Sequence, residues 1–444
     1  MKKITLSLIL LLISIVAFSQ ETKGELAEYD RNSLATILVF HGEDEFGQDI
    51  FDAFIAMPLP DKYDDHSLSF KIIENEKIVG VRGKKKQGLY KAKHGKVLTK
   101  KEVRKNGEKI EELLNEAECG KHMVSKWFNL KGDSQNNATF DMSVVAKRGQ
   151  YNATDIDVAL ASQTARGVAM LSDMGEELIG NTYILVNDIT YVTAEERAEA
   201  AKIAMSVIGG LLGGLTGNTD AANDFVQTTS AIADSFTGFT VKTHSYLYRL
   251  QWNDSIASVF YNDHYTNVPN PEKIYKFLND KNTYKVKYVA HEYEFDEKST
   301  LKGKYDRKEL CKMICTRSID KNISALQLQY EDFKIKTPVY SLEYNKKGKL
   351  VGYNIKVGLK ESISEKSKFQ IVEKRIDPET NRTTYKYVAT VKPIKGKIWD
   401  NRYNAVQESG EGSELQYTTF KKVGGGEILP GMLAIEGKYR KVKE

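Results

Sequence analysis

Residues 306–344, DRKELCKMICTRSIDKNISALQLQYEDFKIKTPVYSLEY, hold the change of pattern that decides the fold. Asp306 can cap a helix and Glu309 can complete a capping box, which satisfies backbone N–H groups that the first helical turn leaves without partners. Ile319, Ile323, Leu326, Tyr330 and Phe333 recur at spacings of 4, 3, 4 and 3, the stripe that one face of an α-helix buries. Thr337-Pro338 ends it, because proline disfavours helical geometry in the residue before it. Past Pro338 the helical period gives way to short apolar runs separated by turn residues, so a domain boundary is placed near Phe333 to Pro338.

Downstream, Val339 to Tyr344 and Leu350 to Val357 read as strands around the Lys346-Lys347-Gly348 turn. Phe369 to Ile376 and Thr383 to Val391 read as a hairpin joined by Asp377-Pro378-Glu379-Thr380-Asn381. Glu414 to Lys422 and Met432 to Glu436 follow the turn signals Gly410-Glu411-Gly412 and Gly424-Gly425-Gly426. Six short strands in about 105 residues predict a small barrel or sandwich.

Upstream, strand and helix signals alternate. Leu34 to Phe40, Phe70 to Val81, Ala138 to Lys147, Thr182 to Val192, Thr240 to Trp252 and Thr283 to Phe295 read as strands; Asp49 to Met57, Glu108 to Phe128, Ser255 to Tyr261 and Pro271 to Leu278 read as helices, and Thr154 or Asp155 can cap another running to Ile179. The segment 193–236 interrupts the rhythm as a helical hairpin. Its Gly209 and Gly213, and Gly210 and Gly214, repeat at the four-residue spacing that lets two helices approach closely, within the protein or against a second copy. The apolar run Ile203 to Leu215 is shorter than the roughly 20 residues that cross a bilayer. The fold class expected is α+β: a mixed α/β N-terminal body with an inserted helical hairpin, followed by a small all-β C-terminal barrel or sandwich. The divisions expected are 1–19, 20–135, 136–335 and 336–444.

The C-terminal residues 367–406 (SKFQIVEKRIDPETNRTTYKYVATVKPIKGKIWDNRYNAV) and 417–437 (YTTFKKVGGGEILPGMLAIEG) resemble the small β-domain that ends the periplasmic flagellar assembly protein T. The likeness lies in Phe369-Gln370-Ile371-Val372, in the Val388 to Val391 strand and in Pro430-Gly431-Met432. The longer chain resembles uncharacterised exported proteins of Gram-negative bacteria through ELIGNTYILVNDI at 177–189. The first resemblance implies an envelope-facing structural or assembly role, without flagellar function itself, and neither carries a catalytic residue onto this sequence.

The N-terminus agrees with export. Lys2 and Lys3 precede an apolar run from Ile4 to Val16, and Ala17-Phe18-Ser19 places small residues where signal peptidase reads them, so residues 1–19 are expected to be a cleaved signal peptide. With no cysteine near the cut, no lipid anchor is expected. Cleavage takes the formal charge from +5 to +3, too small to imply a polyanionic partner by itself. Cys119, Cys311 and Cys315 are an odd count, which rules out a disulfide framework; the last two are one helical turn apart, too far for a disulfide, and are expected as buried small apolar residues, with half a metal site as the functional alternative.

The most biased stretch is Arg82 to Lys109, with twelve Lys or Arg against Glu102 and Glu108. It reads first as a solvated hairpin and helix start. Its functional alternative is an anion-binding surface on Lys84, Lys85, Lys86, Arg104 and Lys105, gripping anionic lipid or nucleic acid by counterion release. Two acidic clusters, His41-Glu43-Asp44-Glu45 and Asp61-Asp64-Asp65-His66, could offer oxygen ligands to calcium but lack the spacing of a calcium loop, so both read as turns. His291-Glu292 opens like a zinc-protease helix, yet Phe295 stands where the second histidine belongs. No catalytic or metal residue and no cofactor is assigned. The expected function is a non-enzymatic periplasmic or envelope-associated protein that binds a protein or envelope polymer, with a secreted hydrolase of dispersed carboxylates as the alternative.

Overall fold

Strand β1 (Asn32–Phe40) is buried along nearly its whole length, with Ala35, Ile37 and Val39 on one side and Leu34 and Leu38 on the other. A strand apolar on both faces belongs inside a sheet covered twice. The structure, a computed structural model, describes residues 32–57, 63–66, 68, 70–74, 98–151, 175–193, 236–301, 306–334, 336–376, 383–402 and 415–437. The expected signal peptide, Lys84 to Lys86, and the hairpin glycines Gly209, Gly210, Gly213 and Gly214 lie outside the described residues.

β1 pairs in parallel with β2 (Tyr63–Asp65), β3 (Ile72–Glu74) and β4 (Thr182–Thr193). β4 pairs antiparallel with β5 (Phe236–Leu250), and β5 with β6 (Val286–Leu301), giving the order β2-β1-β4-β5-β6 with β3 also on β1. The helices of this body are α1 (Gly47–Ala56), α2 (Lys100–Glu116), α3 (Cys119–Trp127), α4 (Ser143–Tyr151), α5 (Gly175–Ile179), α6 (Asp254–Val259), α7 (Pro271–Asn279) and α8 (Arg307–Gln329). On one side of the sheet Ile184, Val186, Tyr246 and Tyr248 pack with Ile110 and Leu114 of α2, Met123 and Trp127 of α3, and Ile274 and Phe277 of α7. On the other side Tyr183, Leu185, Val241 and Leu247 pack with Ile50 and Phe54 of α1 and with Leu310, Ile314, Ile319, Ile323 and Leu326 of α8. Four of the five residues of the expected stripe, Ile319, Ile323, Leu326 and Phe333, are therefore in the core, each worth about 1.5–3 kcal/mol of burial, and Tyr330 packs against it half-buried. Because β1 and β4 share this sheet, the division expected at residue 135 does not separate two sheets.

Two expected elements differ. The alternating run 138–147 is not a strand: after a short bridge between Lys131 and Thr139 the chain turns into α4, where Asp141 Oδ1 accepts the Ser143 N–H at 2.8 Å. The single helix expected over 108–128 is two. α2 starts eight residues earlier on a Thr99–Glu102 capping box, and the chain breaks at Glu118, whose φ of 53° is left-handed.

From Pro338 onward six antiparallel strands close on themselves: β7 (Thr337–Tyr344), β8 (Leu350–Ile355), β9 (Phe369–Ile376), β10 (Thr383–Pro393), β11 (Thr418–Gly425) and β12 (Leu433–Glu436). Their order is β10-β11-β8-β7-β12-β9, a barrel rather than a sandwich. Val339, Ile355, Phe369, Ile371, Val391 and Phe420 fill it. At Gly425, φ is +102° and a Cβ would stand 2.5 Å from Ala389 Cα, so glycine is required there for β10 and β11 to close. The chain is thus α+β in class. Among the described residues no helix is long and apolar enough to cross a membrane.

Candidate functional site

The sequence Asn187-Asp188 sets two adjacent polar residues in the middle of the most buried strand, and alternation sends them to opposite faces. Toward α8, Asn187 Oδ1 accepts from Ser245 Oγ at 2.7 Å, and Asn322 Nδ2 donates to Ser245 Oγ at 2.8 Å and to the Thr243 carbonyl at 3.0 Å. Ser318 Oγ donates to Thr243 Oγ1 at 2.7 Å. This seam is neutral and fastens α8 to β5.

The other face carries charge. His41, just past β1, donates from Nε2 to Asp188 Oδ1 at 2.7 Å, and both residues are buried. Directly across from Asp188 on β5 stands His244, and His244 Nδ1 lies 2.9 Å from His291 Nε2 on β6. Tyr293 packs at a tilt against His244 with ring centroids 4.6 Å apart, and the Tyr246 ring centroid lies 4.8 Å from that of His291. Burial pushes the His244 imidazole down to about 4 against the pull of Asp188, and burial with the neighbouring His244 pushes His291 down to about 3. The pair is therefore neutral at physiological pH, one ring donating and the other accepting.

Two residues further along β5, on the same face, is Lys242, then Thr240. Burial alone brings the Lys242 ammonium down to about 8. Lys242 is 3% exposed and Thr240 1%, yet Lys242 Nζ, Thr240 Oγ1 and Asp188 Oδ2 have no hydrogen-bond partner among the described residues. The arrangement offers a carboxylate that orients an imidazole, a second imidazole pair held neutral, and an amine with a depressed proton affinity. Among the described residues no three His, Cys, Asp or Glu side chains are grouped to hold a metal ion.

The residues expected from sequence fall elsewhere. Arg104 and Lys105 are exposed on α2, where Arg104 Nε pairs with Glu108 at 2.7 Å. Of the two acidic clusters, the turn after β1 contributes its histidine to the buried array. His66 is likewise buried, its Nε2 3.0 Å from the Met123 carbonyl and its pKa pushed down by burial to about 3. His291-Glu292 is in a strand, as expected. Cys119, Cys311 and Cys315 are buried free thiols, and burial pushes Cys119 up to about 12.

The barrel differs in what it leaves on its outside. Tyr344 and Val423 are 56% and 57% exposed, and Tyr340, Leu350, Val351 and Tyr387 are exposed with them. Tyr344 and Leu350 are cross-strand partners beside the cationic Lys346-Lys347-Gly348-Lys349 turn. No protein-family model matches the chain, and no curated protein matches it.

Proposed function

We propose that the chain is an exported, envelope-facing binding protein without catalytic turnover, and that its barrel docks a protein partner through its outer surface. The observation that supports this is the exterior of the barrel. Its interior is filled by its own side chains, while tyrosines and aliphatic residues are left on the outside, the composition that marks protein interfaces. Export is supported by the basic and then apolar N-terminus, and an assembly role by the resemblance of the barrel sequence to the flagellar assembly domain.

A photo-crosslinking residue placed at Tyr344 or Val423 in cells should give a discrete protein adduct, and the same residue at Val268, equally exposed on the body, should not. Binding of the purified barrel-bearing chain to isolated peptidoglycan, unchanged by Tyr344→Ser, with no adduct at either position, would replace the protein partner with a polymer. Recovery of the chain from cytosol with Met1 attached would end the export reading. The His41–Asp188 pair favours one competing reading, acid–base chemistry in the body, which a turnover screen of esters, glycans and peptides addresses directly.

A further inference from the structure

We infer that the sheet face bearing Asp188, Lys242 and Thr240 is a binding site for a small zwitterion, a molecule with a carboxylate at one end and an amino group at the other.

The argument starts from alternation. Asp188 pairs with His244, Thr190 with Lys242 and Val192 with Thr240, so these side chains rise from one face in consecutive same-face rows. Where α2, α3 and α7 cover that face it is apolar, lined by Ile184, Val186, Tyr246 and Tyr248. One row further along, without leaving the interior, it turns polar. Asp188 and Lys242 are diagonal neighbours, a geometry that sets such side chains about 7–8 Å apart at their bases, and Thr240 follows about 7 Å beyond Lys242 along the strand. Both charges act on His244, Asp188 raising its proton affinity and Lys242 lowering it, so both converge on the same patch.

A carboxylate and an ammonium this close would ordinarily pair. They do not: Asp188 spends Oδ1 on His41, and its Oδ2, the Lys242 Nζ and the Thr240 hydroxyl are left without partners among the described residues at 1–3% exposure. A buried charge without a partner costs several kcal/mol, and a fold keeps opposite charges apart inside itself only where something between them satisfies both. The three atoms prescribe its chemistry. Lys242 and Thr240 are donors and call for a carboxylate, while Asp188 Oδ2 is an acceptor and calls for an ammonium. The charges of such a solute cancel those of the site. The neutral His244–His291 pair completes the floor without adding charge.

This site is independent of the partner surface proposed for the barrel. The test is titration of the full chain with free α-amino acids, and with the 2-hydroxy acids and simple amines that each keep half of the zwitterion, read by calorimetry and by thermal shift. One or more amino acids should bind at one site per chain. Lys242→Met and Asp188→Asn should each weaken that binding roughly tenfold or more, since each removes one of two buried charge contacts. The pattern should differ between them, with Lys242→Met sparing the amines and Asp188→Asn sparing the hydroxy acids. Thr240→Val deletes only a hydroxyl, so it remains informative if either charge variant fails to fold, and it should weaken carboxylate-bearing ligands alone. The inference is overturned if no panel member binds at millimolar concentration, if binding ignores these substitutions, or if a high-resolution crystal soaked with the amino acids shows only ordered water between Asp188 and Lys242.

Discussion

The α/β body and the barrel bury polar groups in opposite ways. Inside the barrel wall Thr418, Thr419 and Asn354 are satisfied by neutral neighbours: Thr419 Oγ1 donates to Asn354 Oδ1 at 3.0 Å, Asn354 Nδ2 to Ser341 Oγ at 3.1 Å, and Thr418 Oγ1 to the Val357 carbonyl. Inside the body an aspartate, a lysine and several histidines are buried on one sheet face, and part of their bonding capacity is unused. All seven histidines of the chain precede residue 336. Apart from Lys374 and the Glu343 Oε2 atom, the buried polar groups of the barrel are neutral and its core is closed by apolar side chains, which leaves its outside for recognition. A region that keeps ionisable groups inside has invested stability in them, and their use must be sought inside.

If the two regions are separate cooperative units, the largest effects should stay local. Trp127 is fully buried in the body, with Nε1 donating to Thr182 Oγ1 at 2.8 Å and the Arg148 guanidinium 4.8 Å from its ring. Phe420 is its counterpart in the barrel, 5.0 Å from Phe369. Trp127→Ala and Phe420→Ala should each cost about 3–5 kcal/mol. Denaturant unfolding followed by far-UV circular dichroism should show two transitions, with each variant moving only its own; a common shift would make the chain one unit and break the comparison.

Acid should then discriminate between them. His66, His244 and His291 have folded pKa values near 3, 4 and 3, below the 6.5 of a free imidazole, so the native body binds fewer protons than the unfolded chain. Their stabilising effect is complete above about pH 6.5 and is lost as pH falls from there toward the folded values. For His244 alone the shift corresponds to roughly 3 kcal/mol once pH is below 4. The body transition should move to lower denaturant between pH 7 and pH 4.5 while the barrel transition, without histidine, moves far less. Equal shifts in both would show that the buried imidazoles do not set the acid response.

How much of this the sequence displays also differs between the two regions. The barrel strands are local objects, each a short apolar run ended by a turn such as Asn345 to Lys349, where Gly348 takes a φ of +73°. Those signals lie within a few residues of what they determine, so all six strands are readable, and only the choice between barrel and sandwich needs the register. In the body, α8 is readable for the same reason. The helix break at Glu118 is not, because the left-handed position is held by a glutamate and the nearest glycine, Gly120, lies inside the next helix. The run 138–147 alternates like a strand, yet Asp141 caps a helix two residues on, and a cap outweighs alternation over so short a run. The array draws on the buried His41, Asp188 and His244 and the half-buried His291, four segments joined only by strand pairing. What the sequence does offer is Asn187-Asp188 inside an otherwise apolar strand, a local conflict that points to a site without naming its partners.

The neutral seam on the α8 side provides a control of intermediate size. Asn322→Ala leaves the Thr243 carbonyl and the Ser245 hydroxyl without their donor in a dry interface, which should cost about 1–3 kcal/mol. Because nothing in that seam titrates near neutrality, the loss should be the same at pH 7 and pH 5. A loss that grows in acid would mean that the two faces of the sheet are coupled through β5 and do not act as separate layers.

The smallest expected effect bears on the barrel surface itself. Residues 336–444 contain 22 Lys and Arg against 13 Asp and Glu, and on the outer wall Lys392 of β10 stands directly opposite Lys421 of β11. Like charges paired across strands repel, at a cost of about 0.2–1 kcal/mol. Lys421→Glu turns that repulsion into attraction and should stabilise the barrel by an amount in this range at low salt, with the gain vanishing near 1 M salt, where the screening length is about 3 Å. The same substitution should weaken the partner adduct formed at Val423, two residues away, if the partner presents acidic groups to this wall. Greater stability with less binding would identify the lysine pair as a cost carried for recognition. Greater stability with undiminished binding would leave the exposed tyrosines and aliphatic residues as the whole of the docking surface.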